Sequence, residues 1–151
     1  MKIALDTNFL VYAEGLDDVR RRDVAKQLLR GLDSVDLLIP VQVLAELHNV
    51  MLRRGIAADA AAVLVMSWAD LYATIDTSYQ VLKQSIDLRL RHRLPVFDAL
   101  ILAAAALADC TMLLSEDFQH GFGWQGCTVI NPFLEPMNPL LASAIVPQIE
   151  P

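Results

Sequence analysis

Four acidic residues, each in a separate stretch of the chain, have the makings of a cation site. Asp6 follows the apolar run Ile3, Ala4 and Leu5, and Glu46 lies among Leu44, Ala45 and Leu47. Asp98 precedes the apolar stretch ALILAAAALA, and Asp117 closes the triplet Ser115, Glu116, Asp117. Hard divalent cations such as Mg²⁺ and Mn²⁺ take oxygen ligands, usually one or two carboxylates per ion with several waters kept. Carboxylates gathered together repel one another and take up protons unless such a cation is present. A bound cation lowers the pKa of its water and stabilises charge on a phosphoryl oxygen, so a phosphodiester is hydrolysed without a His or Ser nucleophile. Thr7, Asn8 and Ser115 would add hydrogen bonds that hold the carboxylates or orient a water.

Each acid also has a plainer reading. Asp6 or Thr7 would cap a following helix, Asp98 would cap the alanine-rich helix, and Asp117 would be a turn residue. Glu46 resists this treatment, because a carboxylate half-buried among leucines needs a partner or a cation.

Whether the four meet depends on the elements that carry them. The pattern predicts strands over residues 2–5, 36–40, 73–76, 111–114 and 127–130. Helices are expected over residues 8–14, from a cap at Asp17 to 32, 41–54, 57–72, from a cap at Thr77 or Ser78 to 93, and 98–108. Pro95 separates the last two. Short strands alternating with longer helices imply a parallel sheet covered on both faces, and ligands collect outside the carboxyl ends of such strands. Asp6 and the Ser115 triplet fall at two of those ends.

The totals permit this reading. A chain of 151 residues with 55% hydrophobic residues and a mean hydropathy of +0.41 buries one core without disulfides or structural metals. Residues 1–132 are expected to form that domain, and 133–151 a proline-rich tail rather than a second one. The longest apolar run is too short to cross a bilayer, and Asp6 interrupts any signal-peptide core, so the sequence predicts a cytoplasmic protein with no membrane partner. Cys110 and Cys127, with no CxxC, read as buried thiols. The net charge of −6 argues at first against a nucleic-acid partner. If four of the 18 acids sit on cations, however, 14 face 12 Lys and Arg, and acidity is no veto.

The stretches LDTNFL, VLAELHNV, FDALILAAA and LLSEDFQHG, in that order and spacing, resemble the PIN-domain family, in particular the VapC-type toxin ribonucleases of bacterial toxin–antitoxin pairs. The resemblance runs from Met1 to about Pro132. It implies a three-layer α/β/α sandwich around a short central parallel sheet, and Mg²⁺ or Mn²⁺ held by acids. Position by position, Asp6, Glu46, Asp98 and Asp117 match the catalytic metal-site acids, and Thr7, Asn8 and Ser115 the supporting polar positions. Glu116 stands beside Asp117; the Ser-x-Asp spacing favours Asp117 as the residue facing the metal. The activity implied is endoribonuclease cleavage of RNA leaving a 5′-phosphate. The resemblance further implies a homodimer and a cognate VapB-type antitoxin that places a basic residue among the acids and binds operator DNA. A PIN fold with a non-toxin nuclease duty, or one kept for binding only, is the alternative.

Other features fit less well into a site. Arg89, Arg91 and Arg93 precede Asp98, but residues two apart on a helix point about 200° apart, so they form no single stripe. They read as a solvated face, from which one or two would reach an RNA backbone if the chain loosens near Pro95. Arg20, Arg21 and Arg22 read as facing solvent or a partner, and His120 as a surface histidine near the triplet. Met51 and Met66 read as core or as a soft apolar contact. There is no HExxH to support zinc hydrolysis. A receiver-type signalling domain would need a second acid near the first strand and a lysine near the last. An aspartyl phosphatase would need an acid where Asn8 stands.

Overall fold

In the computed structural model, which describes residues 1–145, six strands form one sheet in the order β3-β2-β1-β4-β6-β5. The strands are β1 Lys2–Leu5, β2 Asp36–Pro40, β3 Ala73–Ile75, β4 Met112–Leu114, β5 Gly123–Trp124 and β6 Cys127–Ile130. The helices are α1 Thr7–Ala13, α2 Val19–Gly31, α3 Val41–Arg53, α4 Ala58–Leu71, α5 Tyr79–His92, α6 Val96–Leu107 and α7 Pro139–Ala144. All pairings are parallel except β5 with β6. The result is the mixed α/β sandwich, helices against a mostly parallel sheet, that the sequence predicts.

The central strands are apolar because neither face of a helix-covered parallel sheet meets water. Ile3, Ala4 and Leu5 of β1 and all of Met112–Leu114 are fully buried. β1 lies between β2 and β4, with Ile3 opposite both Leu37 and Met112. The chain leaves β1 for β2 and β3 on one side, then crosses back to lay β4 on the other. The carboxyl ends of β1 and β4 therefore stand side by side at a topological switch point, Leu5 opposite Leu114.

Helix α6 is apolar nearly all round, and every residue from Ala99 to Ala106 is buried. Its small side chains let it pack against α5 and against the sheet. Its start differs from the expectation. Arg93 ends α5 in the left-handed conformation (φ 56°), Pro95 occupies the N-cap position, and Asp98 is the third residue of the helix rather than its cap. α2 likewise begins one residue later than expected, because Asp18 rather than Asp17 accepts the capping bond, from the Arg21 N–H. For α5 the cap is Ser78, whose hydroxyl accepts from the Val81 N–H. Ser78→Ala is expected to cost about 1 kcal/mol and to lower the melting temperature by roughly 2–4 °C, read by thermal denaturation.

Two elements have no counterpart in the sequence reading. β5 is joined to β6 by Gln125 and Gly126, both at positive φ (45° and 85°), the arrangement of a two-residue type I′ hairpin. It gives the parallel sheet an antiparallel edge. In the proline-rich segment, Asn138 caps α7 with Pro139 at its first position, and Leu141 is fully buried against the core. The tail is thus part of the body as far as Ile145; residues 146–151 lie outside the described residues. Cys110 and Cys127 are buried free thiols, as the sequence suggests, and burial pushes them up to about 11 and about 12, away from the reactive thiolate. Among the described residues no helix is long and apolar enough to cross a membrane.

Candidate active site

Asp6 is the first residue beyond β1, and its N–H donates to the carbonyl of Leu114, the last residue of β4. Ser115, the first beyond β4, donates from its own N–H to Ile130 at the end of β6. This backbone lacing sets the two side chains next to each other. The Ser115 hydroxyl donates to Asp6 Oδ2, and the Thr7 N–H donates to Asp6 Oδ1 at 2.7 Å. Asp6 therefore is the N-cap of α1, as its plainer reading holds, and also a fully buried carboxylate with its second oxygen committed to Ser115.

From this anchor the other acids are reached in a few steps. Thr7 Oγ1 donates to Glu46 Oε2 at 3.0 Å, and Gln42, one turn earlier on α3, donates to Glu46 Oε1 at 3.1 Å. Glu46 is the sixth residue of α3, which begins where β2 ends, beside β1. The Asp117 N–H donates to Ser115 Oγ at 3.2 Å, and the Asn8 side chain hydrogen-bonds the Asp117 carboxylate. Asp98, half-buried in the first turn of α6, interacts electrostatically with Asp6, Asp117 and Glu46. Four segments thus bring Asp6, Glu46, Asp98 and Asp117 together at the carboxyl ends of β1 and β4, with Thr7, Asn8 and Ser115 bonded among them.

The electrostatics of the group are those of negative charge without compensation. Burial pushes Asp6 up to about 7 against the pull of Ser115 and Thr7, with Asp117 and Asp98 adding to the rise. Burial, then Asp117 and Glu46, push Asp98 up to about 6. Asp117 is raised as well, by partial burial and then by Glu116 and Glu46, though Asn8 opposes this. None of the four takes part in an ion pair among the described residues, whose ion pairs lie elsewhere. Such a set accepts protons or a cation. Its donors are all oxygen, which suits Mg²⁺ or Mn²⁺ rather than a thiophilic ion. Among the described residues no three His, Cys, Asp or Glu side chains are already closed around a single point. One or two carboxylates with retained waters is the mode of binding this arrangement allows.

Glu116 points elsewhere. Its carboxylate accepts from the Tyr12 hydroxyl and from Arg21 Nε at 3.1 Å. Arg21 is thus engaged beside the site, whereas the sequence reading gave it to solvent or a partner; Arg20 pairs with Glu135 and Arg22 with Asp23. The Arg21 contact joins residues 95 apart in the chain, and no local pattern signals it.

The remaining sequence-predicted residues stand outside this network. Arg89 donates to the Leu94 carbonyl, Arg91 pairs with Asp87, and Arg93 caps α5; all three are exposed. His120 Nδ1 accepts from the Asn131 N–H at the surface. Met51 is core, and Met66 is exposed on an almost wholly apolar groove between α3 and α4 with Leu44, Val65 and Ala69.

Ser115→Ala would leave Asp6 Oδ2 without its donor and the Asp117 N–H without its acceptor. The variant is expected to lose about 1–3 kcal/mol of stability, read from its urea midpoint with the denaturant slope unchanged.

With the geometry in view, the comparisons with known proteins are direct. The family model described as PIN domain matches residues 3–120. No curated protein sequence matches the chain. Among solved structures, VapBC2 from Rickettsia felis, bound to a DNA fragment from its promoter, is similar with a TM-score of 0.61 and 20% identity, over 78% of this chain and 89% of that one. Mycobacterium tuberculosis VapC20, a toxin that cleaves the sarcin–ricin loop, is similar with a TM-score of 0.63 and 19% identity, over 76% and 89%. A toxin–antitoxin complex from Klebsiella pneumoniae follows at 0.62 and 19%, over 87% and 98%. At these identities the likeness is one of fold.

Proposed function

The chain belongs to the PIN-domain family, and on that premise we propose that it is a Mg²⁺- or Mn²⁺-dependent endoribonuclease, the toxin of a VapBC-type pair. The observation that carries this reading is the convergence of four acids from four segments, mutually repelling and with no cationic partner among the described residues. Asp6, Glu46, Asp98 and Asp117 are the candidate ligands; one or two of them would bind the cation directly and the others through its waters. When bound, it would supply an activated water and charge stabilisation at the phosphoryl oxygen.

The residues of this chain have definable parts in that chemistry. Ser115 and Thr7 fix both oxygens of Asp6, so its carboxylate cannot rotate away from the group. Thr7 and Gln42 do the same for Glu46, and Asn8 supplies one bond to Asp117. With the acids thus held, little reorganisation is left for the moment of reaction. Nothing in this set supplies a nucleophilic Ser, Cys or His; Ser115 donates its proton to Asp6 and is committed there.

The fold neighbours include complexes of toxins with antitoxins, which supports a cognate antitoxin for this chain. A basic side chain of that partner placed among the acids would relieve the same charge that a cation relieves, and so compete with it. Operator DNA would be bound through the partner. A homodimer of the toxin belongs to the same reading.

Short 5′-labelled RNA and DNA oligonucleotides test the proposal. Incubated with the purified protein, the RNA is expected to be cut in Mn²⁺ and left whole in EDTA, with the DNA uncut. Cleavage that persists in EDTA, or cleavage of DNA alone, would reject it. Co-expression with the product of the adjacent gene is expected to yield a stable complex that no longer cuts.

A further inference from the structure

Glu116 sits in the middle of the turn that carries two residues of the site, yet its carboxylate is turned to the opposite side. There it meets residues from two other parts of the chain, which in turn pack on a third. Tyr12, near the end of α1, donates its hydroxyl to Oε1, and Arg21, on the first turn of α2, donates Nε to Oε2. Burial and the Glu116 charge keep the phenol protonated, so it remains a donor. The Arg21 guanidinium lies over the Tyr12 ring at 5.5 Å and over the Phe133 ring at 5.9 Å. Phe133 meets Tyr12 edge-on at 5.1 Å and Phe9 at 6.3 Å. The Phe133 N–H is held by the Asn131 side chain, and two residues on, Glu135 pairs with Arg20.

Both oxygens of Glu116 are therefore occupied, by donors from α1 and α2, and the arginine that makes one bond lies against an aromatic ring of the C-terminal segment. A turn of three residues has little freedom once its middle side chain is fixed in this way. Ser115 points inward to Asp6, Glu116 outward to Tyr12 and Arg21, and Asp117 towards Asn8 and the other acids.

The geometry points to Tyr12, Arg21, Glu116 and Phe133 as a clasp that positions the Ser115–Glu116–Asp117 turn for cation binding, Glu116 being its anchor and not itself a ligand. The inference rests on the cation-dependent reading of the acid cluster. It gives the segment after β6 a function: Phe133 packs against Arg21, Arg21 holds Glu116, and Glu116 aims Asp117. Groups that orient metal-binding side chains typically change metal affinity about 10–100-fold when removed.

The test is Mn²⁺ binding by titration calorimetry, with melting temperature and RNA affinity measured alongside, the latter in an Asp98→Asn background that does not cut. Tyr12→Phe keeps the ring and its packing and deletes only the donor. Arg21→Ala removes the other bond, and Glu116→Ala both. We expect Mn²⁺ affinity to fall about tenfold in Arg21→Ala and Glu116→Ala and several-fold in Tyr12→Phe. RNA affinity should hold, and kcat should recover as Mn²⁺ is raised. Arg21→Lys, which keeps a cation but not the planar guanidinium that donates Nε to Glu116, should restore only part of the loss. If Tyr12→Phe and Arg21→Ala bind Mn²⁺ as the wild type does, the clasp is overturned. That outcome combined with a loss in Glu116→Ala would make Glu116 a direct ligand. A wild type that binds no Mn²⁺ overturns the cation reading and the clasp with it.

Discussion

Replacing Asp6 by Asn is expected to lower RNA cleavage at least about a hundredfold to a thousandfold while the protein remains folded. The range is that for loss of one preorganised electrostatic group in a water-poor site. Asn is the same shape, and its carbonyl oxygen can accept the Thr7 N–H as Asp6 Oδ1 does. Its amide can face Ser115 Oγ if the hydroxyl rotates to accept. What it lacks is the charge. Asp98→Asn is expected to behave alike, since Asp98 is coupled to the other three acids and touches no helix cap. Steady-state cleavage of a labelled RNA and far-ultraviolet circular dichroism together check this; an Asn variant that cuts at the wild-type rate removes that residue from the site.

The same carboxylate makes the cation-free protein pH-sensitive. Asp6 rises from 3.8 to about 7 on folding, chiefly because it is buried. Below pH about 3.8 the group is protonated in both states and contributes nothing. As pH rises from there to about 7, the unfolded chain gives up a proton that the folded chain retains, so stability falls. Above about 7 the cost is complete and amounts to about 4 kcal/mol. With the cation removed, the unfolding free energy is therefore expected to decline between pH 5 and 8. Asp6→Asn should reduce that slope, leaving the part due to Asp98 and Asp117, and make the cation-free protein more stable than wild type at pH 8. Added Mn²⁺ should raise the wild-type melting temperature at pH 8, because a ligand that binds only the folded state stabilises it. A wild type whose cation-free stability is level from pH 5 to 8 would contradict the burial assigned to Asp6.

These consequences were partly legible before any coordinates. The strands β1, β2 and β4 announce themselves as short apolar runs, and the polar residues that end them are at once the ends of strands and the start of the site. α3 and α6 show helical spacing, and so Glu46 and Asp98 could be placed on helices. What the sequence could not show is coupling across distance. The bond from Thr7 to Glu46 spans 39 positions and that from Ser115 to Asp6 spans 109, and only the crossing of the chain back to β1 makes them neighbours.

Glu116 and Asp117 are adjacent and chemically alike. Their opposite orientations follow from Tyr12, Arg21 and Asn8, which no local pattern connects to them. β5 is two residues long, below any periodicity, although the Gly126 that follows Gln125 is a turn signal. α7 carried a readable start, Asn138 before Pro139, hidden in a stretch whose prolines read only as a tail. The bond from Arg21 to Glu116 could not be read from three arginines in a row, each of which has a different acidic neighbour.

Whether the four acids act through a cation on RNA can be read directly. Purified protein, free of any partner, would be incubated with total cellular RNA in Mn²⁺ or in EDTA, beside an Asp98→Asn control, and the new 5′ ends mapped. Discrete ends carrying a 5′-phosphate, present only with wild type and Mn²⁺, are the expected result and would name the target. Intact RNA in every lane from a protein that is folded and binds Mn²⁺ would contradict the ribonuclease and leave a PIN fold kept for binding.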